Sequence, residues 1–130
     1  MEDAAFSDEF CHFLRAAVPT VDAAELLLLL RREPGRWWTA GDASAALAPT
    51  TVVTEADSVR YFGIFQAAAL LALAPDKRVQ YKPASELLEA HARTLEQAYR
   101  ERPVTLIRVI YALRDSRIQS FADAFKLRRR

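Results

Sequence analysis

Cysteine, histidine and glycine are all scarce in this chain of 130 residues, and each scarcity closes off a class of chemistry. Cys11 is the sole cysteine, so no intrachain disulfide can form, which suits a reducing compartment. The two histidines, His12 and His91, lie far apart, and no CxxC or HxxxH spacing occurs, so no metal is expected. Gly35, Gly41 and Gly63 fall in neither GxGxxG nor GxxxxGK[ST], which leaves no phosphate cradle and no cofactor to expect. Long apolar runs are also missing. The longest, Leu26 to Leu30, is far short of the roughly 20 residues a membrane helix needs, so no membrane span is expected. Charge of one sign is lacking too: the formal net charge of +1 gives no whole-molecule attraction to nucleic acid or to an anionic membrane. Any such attraction must be local. Glu2, Asp3, Asp8, Glu9, Asp22 and Glu25 face only Arg15 in the first 25 residues, while Lys126 and Arg128 to Arg130 make the end basic. The acidic start offers no secretory leader, and a cytoplasmic protein is the expectation.

Catalytic groupings are equally thin. Cys11 and His12 are adjacent, and adjacent helical residues point about 100° apart, so they cannot work as a nucleophile and its base. The acidic pairs Asp8/Glu9 and Glu55/Asp57 sit where first helical turns are expected, and the helix dipole explains them. No catalytic residue is assigned and a binding protein, not an enzyme, is expected.

What is present is helical patterning and its punctuation. Ser7 caps a first helix whose Phe6, Phe10, Phe13, Leu14 and Ala17 recur at helical spacing up to Pro19. Asp22 with Glu25 reads as a capping box for a helix over 23–33, with Val21 and Leu26 as its hydrophobic staple and Pro34-Gly35 as its stop. Arg36, Trp37 and Trp38 form a short extended piece in which one indole should enter the core and the other stay partly exposed. Thr39 with Asp42 opens a brief helix to Leu47. Thr54 with Asp57 opens a long one over 55–73, so a helix-turn-helix is expected. Pro75-Asp76 then breaks the pattern, and a hairpin with strands at 71–74 and 78–82 and its tip at Asp76 and Lys77 is expected. Ser85 caps a helix to about Arg100, and Pro103 starts another over 104–113. The spacing of Ile118, Phe121 and Phe125 predicts a packed helix over 118–127.

The order helix, short strand, helix, turn, longer helix, hairpin, carried by ELLLLLRREPGRWWTAGDASAAL, TEADSVRYFGIFQAAALLALA and KRVQYKP, resembles the winged helix-turn-helix domains of MarR-like bacterial transcriptional regulators. The ending SFADAFKLRRR resembles that of small uncharacterised bacterial winged-helix proteins. The resemblance implies a mainly α fold with a small β-hairpin: an N-terminal helix at 1–21, a winged-helix domain at 22–83 and a C-terminal helical segment at 84–130. It also implies a regulator that binds double-stranded DNA as a homodimer. In that role Ser58, Arg60 and Tyr61 would contact bases or phosphates from the recognition helix, and Lys77, Arg78 and Lys82 would contact phosphates from the hairpin. Glu55 and Asp57 beside Arg60 make a poor surface for DNA, so a winged-helix module for a protein partner, without DNA binding, is the competing expectation. The apolar content of residues 85–113 suggests a dimer seam through Leu88, Leu95, Ile107 and Ile110.

Overall fold

The computed structural model describes residues 6–114. The expected helix over 118–127 lies outside the described residues. Among the described residues, six helices and one two-stranded antiparallel hairpin follow in the order α1 (Asp8–Ala17), α2 (Val21–Arg32), α3 (Ala40–Leu47), α4 (Glu55–Ala67), β1 (Leu71–Leu73), β2 (Val79–Tyr81), α5 (Glu86–Glu101) and α6 (Pro103–Arg114). The mainly α expectation with a small hairpin is met. Among the described residues no helix is long and apolar enough to cross a membrane.

Most of the starts follow from the capping residues. Ser7, Thr39, Thr54 and Ser85 each accept a backbone N–H three residues on, and Thr39 and Asp42 complete a reciprocal box. The exception is α2. Its cap is Thr20, whose hydroxyl accepts from Ala23 N–H, so Val21 is already helical and the box and staple expected from Asp22 do not form. Proline 19 and the extended Thr20 set this earlier start.

Helix α2 is the centre of the molecule, with Leu26 to Leu30 all buried. Leu95 of α5 and Leu106 and Ile110 of α6 are also fully or almost fully buried, α6 lying against both α1 and α5. Of the four residues placed nearest the expected dimer seam, Leu95 and Ile110 are interior, Ile110 beside Leu14 and Val18 at the α1–α6 contact, while Leu88 and Ile107 are partly exposed.

Helix α4 ends six residues before the expected Leu73. Ala69 takes a left-handed φ of 64°, Leu70 N–H bonds Phe65 carbonyl at 3.0 Å and Ala69 N–H bonds Gln66 carbonyl at 3.0 Å. This is the Schellman stop, with buried Leu70 and Phe65 as its hydrophobic contact. The chain then reverses into β1, which pairs with β2 in the register Leu71–Tyr81, Ala72–Gln80, Leu73–Val79. On its other side β2 meets Trp38, whose N–H and carbonyl exchange bonds of 2.7 and 2.9 Å with Val79. The hairpin is thus held against the approach to α3. Trp38 is 0% exposed and Trp37 39% exposed, which is the division expected for adjacent residues in an extended segment.

Candidate functional site

The outer side of α4, the start of α3 and the hairpin enclose a groove of about 360 Å³, lined by Val59, Phe62, Gly63, Gln66, Leu73 and Val79, with Asp76 and Lys77 of the hairpin tip and Thr39 and Ala40 completing it. The α4 periodicity explains its chemistry. Ser58, Tyr61, Phe62 and Phe65 turn inward, leaving Val59, Gly63 and Gln66 at i, i+4 and i+7 on the outside. Val59 is 58% exposed and Leu73 51% exposed, so both present apolar surface to whatever docks there.

Of the residues expected to contact DNA from α4, two lie in the core instead of on the exposed face. Ser58 is fully buried and its hydroxyl has no partner among the described residues. Tyr61 is buried and its hydroxyl accepts a 2.9 Å bond from Thr20. Neither reaches a base edge from the core. The helical phase that puts Val59 outside puts Ser58 and Tyr61 inside. Arg60 is exposed, but it pairs with Asp57 at 3.1 Å and lies over the Tyr61 ring at 4.7 Å. The Arg60 bond, followed by the Thr54 bonds, holds the Asp57 carboxyl below its ordinary range.

The hairpin cations divide in the same way. Arg78 Nε bonds Asp76 at 2.9 Å, and the Arg78 N–H reaches the same carboxylate at 3.2 Å. That backbone bond is the first cause of the lowered Asp76 pKa. Lys77 sits at the tip with φ 72° and takes part in no ion pair among the described residues. Lys82 is exposed at the base of the hairpin, where it lines a separate recess with Arg31, Tyr81 and Glu89. It is not brought together with Lys77, which lines the groove, and Arg60 lines neither recess.

Behind the hairpin, polar groups join the elements. Arg31 of α2 bonds Glu89 of α5 at 2.8 Å and also pairs with Glu96, while the Tyr81 hydroxyl donates to Glu89 at 2.6 Å. Burial would raise the Glu89 pKa, but the Tyr81 and Arg31 bonds outweigh it and hold the carboxyl below its ordinary range. Glu25 similarly receives the hydroxyls of Thr51 and Tyr99, and burial followed by the Glu25 bond pushes the Tyr99 phenol up to about 12. These are ties between elements. Among the described residues there is no cluster of His, Cys, Asp or Glu able to hold a metal.

Sequence reasoning missed the groove residues Val59 and Leu73. The available signal was a β-branched apolar residue on the outward phase of a helix whose inward phase is already filled by aromatics. Compared with known proteins, the chain matches no family model, no curated protein and no solved structure. The resemblance to MarR-like regulators expected from the sequence gains no support from these comparisons.

Proposed function

We propose that this chain is a non-enzymatic winged-helix module that docks a protein surface through the α4–hairpin face. The winged-helix part of the reading is supported by the succession α2, Trp38 bridge, α3, α4, β1, β2, with Trp38 joined to β2 beside the hairpin. The docking part is carried by one observation: the face a winged helix would turn to DNA is an apolar groove between Val59 and Leu73. Phosphate binding needs cations that are free to release counterions, whereas Arg60 and Arg78 are each matched to a neighbouring carboxylate. An exposed apolar groove instead gains by excluding water against another apolar surface.

A second reading, a homodimeric DNA-binding regulator, is favoured by the exposure of Lys77 at the hairpin tip. Retention on duplex DNA at low salt separates the two. The docking reading expects no salt-sensitive retention. Retention that weakens when Lys77 and Arg78 are changed to alanine, with a flatter salt dependence, would replace it by the DNA reading.

A further inference from the structure

We propose that the docked surface is a second copy of this chain, joined by antiparallel pairing of β1 with β1 across a two-fold axis at Ala72. The inference rests on the α4–hairpin face being a protein-docking face. It starts from the hairpin register. Ala74 N–H bonds Arg78 carbonyl and Lys82 N–H bonds Leu70 carbonyl, each at 2.9 Å, so the bonded pairs of the ladder alternate and Ala72–Gln80 is the one between them. The backbone groups of Leu71 and Leu73 consequently point away from β2. They have no other backbone partner among the described residues, and β1 is an open edge.

That edge is self-complementary. Placed antiparallel about Ala72, Leu71 of one copy faces Leu73 of the other, and the two outward N–H and two outward carbonyl groups of each strand meet their counterparts. The edge is short, but Leu71, Ala72 and Leu73 include neither the charge nor the proline that commonly blunts an edge. The exposed Leu73 would then lie beside the partner's Leu71.

Charge fits as well. Antiparallel pairing carries each hairpin tip toward the C-terminal end of the other copy's α4, the negative end of a helix that has no basic residue in its last turn. Lys77, at the tip and in no ion pair among the described residues, is the cation that end lacks.

The test uses the full chain in sedimentation equilibrium, with backbone amide exchange followed by NMR at low and high concentration. The expected result is a reversible dimer in which exchange at Leu71 and Leu73 slows as concentration rises, while Ala72 is slow throughout. Leu73→Lys should weaken the dimer by about tenfold or more, as a charge on an edge strand does. Leu87→Lys, on the 65% exposed Leu87 of α5, should leave it unchanged. A monomer up to about 1 mM, well above the range of specific dimers, overturns the pairing. So does a dimer whose Leu71 and Leu73 amides exchange equally fast at all concentrations, or one indifferent to Leu73→Lys. Failure of the docking reading itself shows separately, as retention on duplex DNA that depends on Lys77 and Arg78.

Discussion

Ala69 and Ser58 show how single residues can run against their surroundings. Ala69 holds a left-handed conformation that costs an L-residue about 1–2 kcal/mol, in a motif where glycine is the usual occupant. Part of that cost returns as extra freedom of glycine in the unfolded chain, so Ala69→Gly should stabilise by about 0.5–1 kcal/mol and raise the melting temperature by a few degrees. Thermal denaturation of the two proteins checks this. Ser58 carries a buried hydroxyl without a partner, and a buried unsatisfied group is a cost. Ser58→Ala should therefore leave stability unchanged or raise it by about 1 kcal/mol in urea titrations, and should not alter any retention on DNA. A base-contacting serine would behave oppositely. Neither feature was legible in the sequence. The run from Gln66 to Ala74 is made of strong helix formers without glycine, so local propensity continued the helix to Leu73 where tertiary packing of Leu70 stopped it.

Among the elements, α5 is fixed to α2 and β2 by the carboxylate of Glu89. This carboxyl titrates lower in the folded chain than its ordinary value of 4.5, because the Tyr81 and Arg31 bonds overcome burial. The stability it contributes is complete above 4.5 and is lost as pH falls through the folded value. Glu89→Gln should be less stable than the parent near neutrality, by about 1–2 kcal/mol, since charge-assisted bonds become neutral ones. The gap should narrow on acidification below 4.5, and urea unfolding over a pH series measures it. The start and end of α3, the starts of α4 and α5 and the place of the hairpin were all legible, because caps and prolines are local signals. The Arg31–Glu89–Tyr81 junction was not. Its members come from three separate stretches of chain and carry no common spacing.

At the scale of the whole molecule, the sequence overstated how much apolar surface was left for a partner. Phe13 of α1 stacks on His91 of α5 at 5.2 Å, Phe10 lies 6.2 Å from the same ring, and Leu14 and Val18 border Ile110 of α6. One face counted for a dimer is thus the seat of the chain's own first helix. Which helix covers which is a matter of topology and leaves no periodic trace. The Trp37–Trp38 pair carries a further consequence, an optical one. Two adjacent fluorophores face different environments, one partly exposed and one fully buried with the Arg36 guanidinium over its ring, so the native emission should divide into an iodide-quenchable part and an inaccessible part. Loss of the inaccessible part should coincide with helix loss by circular dichroism if the hairpin unfolds together with the helices, and should precede it if the hairpin lifts from the α3 approach first.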